Sequence, residues 1–313
     1  MMSLDQISSS QRHPLLSRTL QAAIPATCGE LVQGSLGGVP CLVSCPIERY
    51  SVANLRTNST RTWELPAHLP KLSSAFRLAL TRLPGAPKGG VVSVQSDLPA
   101  GRGYGSSTAD IGAALFALGK LSGGWADPYQ VARLAVQVEP TDSSLFNGLV
   151  LFDHRTASFY ESFGAAPELM VLVIDPGGSV DTLSFNQKDH RDLLQRLAPD
   201  HKQAFNLLRS GLRQRDMQAV GEAATLSSRL HQSILYNPLL ETALDLARQV
   251  RAVGVCRAHS GTLLGLLMDA ESNDLDAVLR YVRSRLPADV DLSMYPLTGG
   301  GPRYPSRQGK EKG

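Results

Sequence analysis

The chain has 313 residues, 42% of them hydrophobic and 19% charged, with 31 Lys and Arg against 28 Asp and Glu. At about 150 residues per domain this length suits two domains or one large one, and the composition is that of a globular protein, not a disordered or fibrous one. A net charge of +3 leaves no footprint of a dedicated nucleic-acid binder, and no apolar run approaches the roughly twenty residues of a membrane span.

Residues 1–18 are polar and without periodicity, and read as a loose leader with no apolar signal segment. Short β-like runs follow at Leu20–Ala26, Cys41–Cys45 and Tyr50–Arg56, bounded by Gly, Pro and Asn. A helix is expected over Leu69–Leu83, stopped by Pro84-Gly85. Residues 91–96 alternate apolar and polar, as a strand with one buried face does. A glycine-rich loop runs from Asp97 to Ser107, and an apolar helix follows to Leu121, with Ser122-Gly123-Gly124 as its stop. Asp127–Val138 reads as a further helix, with Pro128 in its first turn.

The second half opens with strands at Leu149–Asp153 and Ala157–Ser162, then a continuous apolar run at Leu169–Asp175 that suits a central strand. Helices are expected at 189–210, 214–232 and 238–251, strands at Gly254–Ala258 and Thr262–Met268, a helix at 272–285 and a strand at 289–295. Residues 302–313 are charged and Gly/Pro-rich, as mobile tails are. Strand-rich and then helix-rich stretches indicate an α+β protein without regular βα alternation. The four cysteines, Cys28, Cys41, Cys45 and Cys256, form no CxxC and no zinc spacing, and read as reduced, buried thiols of a cytoplasmic protein.

The strongest chemical signal is Pro99–Asp110, PAGRGYGSSTAD. Three glycines in five residues follow a strand, and two serines open a helix. Backbone N–H groups in such a loop, together with the helix N-terminus, form a phosphate cradle. The serine hydroxyls can cap the helix or reach a metal. A tight turn with a serine cap fits the same residues. The loop is not a Walker A motif, since no Gly-Lys-Ser/Thr follows, and Ser106 stands where a dinucleotide fingerprint needs glycine.

This loop resembles motif 2 of the GHMP kinase superfamily, with Tyr104 where leucine is common. Residues 25–34, PATCGELVQG, resemble motif 1, and residues 258–265, AHSGTLLG, stand in the place of motif 3. The wording of these segments, with CLVSCPIERY at 41–50 and EPTDSSLF at 139–146, is similar to the L-threonine kinases of cobalamin biosynthesis. The resemblance implies a two-domain fold: an S5-like, ATP-binding N-terminal domain over 19–165 and a ferredoxin-like C-terminal domain over 166–301, with the active site between them. It implies ATP-dependent phosphorylation of L-threonine to O-phospho-L-threonine, the source of the aminopropanol linker of cobalamin. A kinase for homoserine or another small amino alcohol, and a non-catalytic ATP-binding regulator, are the alternatives. The partners implied are L-threonine and ATP, with no nucleic acid and no membrane; a homodimer is left open.

Site residues follow from the same resemblance. Pro99, Gly101, Gly103, Gly105, Ser106, Ser107 and Thr108 would wrap the ATP phosphates, and Ser107 and Glu139 would hold Mg²⁺, a hard ion that wants oxygen ligands. Glu139 also fits an exposed acid at a helix end. Asp142 stands where some members place a catalytic aspartate, accepting or orienting the threonine hydroxyl proton; an Asx turn is the other reading. Thr27 and Glu30 would meet the acceptor, with Glu30 on its ammonium group. Ser260, Gly261 and Thr262 would approach phosphates and acceptor through backbone N–H groups. His259 reads as a structural hydrogen-bond donor more readily than a base, and Arg257 as a clamp or a surface charge. Asp110, one turn into its helix, is favourable there without any function.

Overall fold

The computed structural model describes residues 17–123, 127–180, 190–271 and 274–305. The leader up to residue 16, Gly124, the start of the helix expected from 189, that of the helix expected from 272, and the tail from 306 lie outside the described residues.

The chain opens with a long antiparallel hairpin, β1 (Thr19–Leu36) and β2 (Val39–Thr57), paired from Thr19↔Arg56 to Leu36↔Val39. Its two-residue loop is Gly37-Gly38, both at positive φ, the requirement of a tight primed turn. The sequence suggests three short strands here. One bulged pair forms instead, because register shifts near Pro25, Thr27 and Glu30 absorb the residues that interrupt the pattern.

Helix α1 (Pro70–Arg82) follows a two-residue strand, β3 (Trp63–Glu64), too short to leave a periodic signal. Then come β4 (Gly90–Gln95), α2 (Ser106–Leu121) and α3 (Pro128–Ala135), the last capped by the Asp127 side chain on the Tyr129 N–H. Helix α2 is buried nearly all round, as an apolar helix inside a core should be. After a short 3-10 turn at Ser143–Leu145 come β5 (Leu149–Phe152) and β6 (Tyr160–Gly164). Strand β6 starts later than the alternation at 157–162 suggests. Asp153 gathers the N–H groups of Arg155, Thr156 and Ser158 into a turn, and Ala157 sits at φ +52°.

β7 (Leu169–Asp175) is the expected apolar strand. The helix expected over 189–210 is broken into α4 (Arg191–Arg196) and α5 (Ala198–Gln214), with Pro199 in the first turn of the second. The remaining elements are α6 (Met217–His231), α7 (Leu240–Gln249), β8 (Gly254–Arg257), β9 (Leu264–Asp269), α8 (Leu275–Arg283) and β10 (Asp291–Pro296).

The strands form one sheet, ordered β10-β7-β9-β8-β1-β2-β4-β3, with the β5–β6 hairpin attached through β2. Every pairing is antiparallel except β3 with β4. Strands β1 to β6 precede residue 165 and β7 to β10 follow it. The two sets meet where Glu30 of β1 pairs with Arg257 of β8. The larger apolar core joins α2 and the hairpin to Phe205, Leu208, Val220 and Ala224 of α5 and α6; a smaller one packs α7 and α8 on β7 and β9. Arg303, at the start of the segment read as a tail, is held: it exchanges backbone hydrogen bonds with Ala23, and its guanidinium donates to the carbonyls of Gly299, Gly300 and Gly301.

Candidate active site

The three glycine-rich segments are joined through their backbones. The loop between β4 and α2 accepts from motif 1 at two points, Thr27 N–H to the Tyr104 carbonyl (2.9 Å) and Gly29 N–H to that of Gly103 (3.1 Å). The N–H groups of Thr262 and Leu263 both donate to the Arg102 carbonyl, at 2.9 and 3.0 Å. Motif 3 was expected to turn such groups toward phosphates; here they fasten the neighbouring loop. Such approach leaves no room for side chains: a Cβ on Gly103, at φ +108°, would lie 2.3 Å from the Ala258 Cβ.

Gly105, in the left-handed region at φ +64°, is the residue preceding α2, so no side chain caps the helix. The capping role read into the serines is not what they do. Ser106 and Ser107 lie inside the first turn, whose N–H groups lack intrahelical partners at the positive end of the helix dipole, and both residues line the cavity. The Ser107 hydroxyl donates to Oε1 of Glu139.

Tyr104 explains its own departure from the motif. Its hydroxyl donates to Oδ2 of Asp175 at the end of β7, which also receives Arg102 Nη1 at 3.0 Å. This pair of contacts ties the loop to the second set of strands.

Glu139 is 5% exposed, so it is not a surface acid. Its other oxygen lies 2.5 Å from Nζ of Lys71 on α1. Lys71 carried no sequence signal, because a lysine in the first turn of an amphipathic helix resembles any solvated residue. The segment after Glu139 is pinned from three sides. Thr141 N–H donates to the His154 carbonyl, Asp142 N–H to the Thr108 hydroxyl, and Ser143 N–H to the Ser44 hydroxyl. Burial and the neighbouring Glu139 push the Asp142 carboxyl up from 3.8 to about 6. Asp142 makes no side-chain cap bond to the turn that follows it, so it is no Asx-turn residue; its Oδ2 lies close to where a Gly105 Cβ would be.

A cavity of about 140 Å³ gathers these groups. On the loop side it is lined by Gly101, Gly103, Gly105, Ser106, Ser107 and Thr108, with Lys71 and Glu139. The remaining wall comes from β1, β2, the 139–142 segment, the turn after β5 and the segment after β8: Glu30, Leu42, Thr141, Asp142, His154, His259 and Ser260. Pro99, Thr27, Gly261 and Thr262 are not among the lining residues; the Thr27 hydroxyl donates to the Gly103 carbonyl at 3.2 Å. Glu30 is 3% exposed and its Oε2 has no hydrogen-bond partner among the described residues. Burial, and then the Asp142 charge, hold its carboxyl well above the usual range.

His259 serves as structure: Nδ1 lies 2.7 Å from Oε1 of Gln33, and burial pushes its basicity well down. Arg257 is neither clamp nor surface charge. It is fully buried, donates to Oε1 of Gln232 and the Leu235 carbonyl, and burial lowers it to about 10. Asp110 is buried and accepts from the Ser51 hydroxyl. All four cysteines are free and buried. Among the described residues no helix is long and apolar enough to cross a membrane.

Serine hydroxyl and buried carboxylate, meeting beside a helix N-terminus, make an all-oxygen donor set suited to a hard divalent ion on phosphates. Residues 71–150 match the GHMP kinases N terminal domain and residues 208–288 match the GHMP kinases C terminal domain. An L-threonine kinase of Citrobacter freundii is 33% identical over 82% of this chain and 89% of its own length. The structure of homoserine kinase from Cytophaga hutchinsonii is similar in fold, with a TM-score of 0.69 at 16% identity over 91% of this chain and 97% of that one. So is that of a mevalonate diphosphate decarboxylase from Enterococcus faecalis, studied for its ATP binding, with a TM-score of 0.68 at 16% identity over 92% and 99% of the two chains.

Proposed function

The chain belongs to the GHMP kinases and is a small-molecule kinase; from that premise we propose that it transfers the terminal phosphoryl group of ATP to the hydroxyl of L-threonine, in the cytoplasm, to supply the aminopropanol linker of cobalamin. The observation that carries this reading is the buried Glu30 carboxyl, whose Oε2 has no hydrogen-bond partner among the described residues, in one cavity with Asp142 and the glycine-rich loop. An ammonium group satisfies that oxygen, and a hydroxyl suits the second acid. The L-threonine kinase of Citrobacter freundii supports the same acceptor. The chain divides, on this reading, near residue 165.

Phosphoryl transfer asks for alignment and charge neutralisation more than for covalent chemistry. The loop of Gly101, Gly103 and Gly105 and the first turn of α2, through Thr108, cradle the phosphates, with Thr27 and Pro99 shaping the loop from behind. Ser107 and Glu139 would hold Mg²⁺; when bound, the ion offsets the negative charge of the phosphates. Asp142 accepts the hydroxyl proton, or orients it, as the hydroxyl oxygen bonds to the terminal phosphorus and the bond from that phosphorus to the ADP oxygen breaks, with ADP leaving. Glu30 holds the ammonium group. Ser260 faces the acceptor, supported by Gly261 and Thr262.

The test is ADP release with Mg²⁺ against L-threonine, L-serine, L-homoserine, mevalonate and galactose. Preference for L-threonine is expected. Preference for another acceptor would keep the reaction class and discard the cobalamin role, and binding of ATP with no release would favour a regulator.

A further inference from the structure

The lining of the cavity outside the glycine-rich loop holds a second kind of unpaired group. His154 follows β5 and is 3% exposed, and neither ring nitrogen has a hydrogen-bond partner among the described residues. Thr141 is 1% exposed, and its hydroxyl has no partner there either. Both line the cavity with Glu30 and Asp142. A buried imidazole left without a partner costs free energy, and such a group in a folded protein calls for an explanation.

The placement of both is built. Asp153, the residue before His154, accepts from the N–H groups of Arg155, Thr156 and Ser158 and from the hydroxyls of Thr156 and Ser158. The His154 carbonyl takes the Thr141 N–H at 2.9 Å. The His154 ring meets that of His259 edge-on at 4.9 Å. Backbone and ring packing therefore fix the two residues together, while their buried polar atoms have no partner among the described residues. Burial lowers His154 to about 4, so near neutrality its ring carries one N–H and no charge.

Glu30 is an acceptor of protons or of an ammonium group. His154 and Thr141 can donate, and both residues line the same cavity as Glu30. We propose that His154 and Thr141 bind the α-carboxylate of the acceptor, so that the enzyme recognises a hydroxylated α-amino acid and discriminates against the amino alcohol that lacks the carboxylate. The assignment rests on the acceptor reading above and extends it, because Glu30 and Asp142 alone suit 1-amino-2-propanol as well as L-threonine. With both carboxylate donors in place, an acceptor without that group leaves buried donors unpaired, which is the strongest means a pocket has of rejecting an analogue.

Titration calorimetry on the protein without nucleotide tests this with L-threonine, L-threoninamide and 1-amino-2-propanol. The intact protein should bind L-threonine at least tenfold more tightly than either analogue. His154→Phe keeps the ring packing and Thr141→Val keeps the shape, and each should weaken L-threonine about tenfold while changing 1-amino-2-propanol less than about twofold. Equal weakening of all three ligands would overturn the assignment, as would unchanged L-threonine binding in both folded variants. Should His154→Phe fail to fold, Thr141→Val and the ligand series on the intact protein decide. Phosphorylation of L-threonine with no carboxylate preference in binding would remove this assignment and leave the kinase reading; the preference without turnover would do the reverse.

Discussion

The two ends of the cavity are made of different material. The end proposed for the phosphates is backbone: a loop whose carbonyls are pinned by motifs 1 and 3, leading into bare N–H groups at the start of α2. The end proposed for the acceptor is side chain: Glu30, Thr141, Asp142 and His154, drawn from three separate segments. A backbone cradle tolerates almost no change of residue, because close approach excludes Cβ atoms. A side-chain wall can change one group at a time and so change its acceptor. The difference predicts that mutations at the two ends will fail in different ways.

The largest effect is expected at Gly103. Gly103→Ala places a Cβ against that of Ala258 at a left-handed φ and should lose more than about a hundredfold in activity, with about 1–3 kcal/mol of stability. Adding Ala258→Gly removes the clash but not the strain, so activity should return in part. Full activity in the single variant would break the backbone account of this end. Next come Ser107→Ala and Glu139→Ala, which should lower kcat strongly and raise the Mg²⁺ requirement; unchanged kinetics at ordinary Mg²⁺ would take either residue out of the metal site.

Asp142→Asn should lower kcat with little change in the KM for ATP, the pattern of a lost transition-state contact. Its stability should move the other way. A carboxyl raised from 3.8 to about 6 on folding contributes stability below pH ~4 that is lost as pH rises through about 6. The variant should therefore melt higher than the parent at pH 8, and the gap should close toward pH 4. A rise in the KM for ATP alone would move Asp142 to the phosphate end. Tyr104→Phe should have the smallest effect, about 0.5–1.5 kcal/mol for the bond to Asp175, with turnover within about threefold.

The same contrast decides what the sequence reveals. Glycine-rich cradles leave their mark in three short segments, because only glycine fits them. The α+β class and most elements follow from periodicity, and α1, α2 and β7 lie within a few residues of where the pattern puts them. The break at Leu197 and the late start of β6 depend on local turn chemistry that competes with a periodic signal. His154 and Lys71 are invisible for another reason. Their meaning comes from which strand or helix lies beside them, and single residues far apart in the chain announce no such neighbours. Arg257 shows the reverse error, since a charged residue next to a motif invites a role although the fold buries it against Gln232 and the Leu235 carbonyl.

The most direct measurement is identification of the product formed from ATP and L-threonine by mass spectrometry with phosphorus NMR. The account predicts one phosphoryl group on the side-chain oxygen of threonine, formed in step with ADP. ADP formed at the same rate without any acceptor, or phosphate carried by a different acceptor in a mixture of the panel, would contradict it.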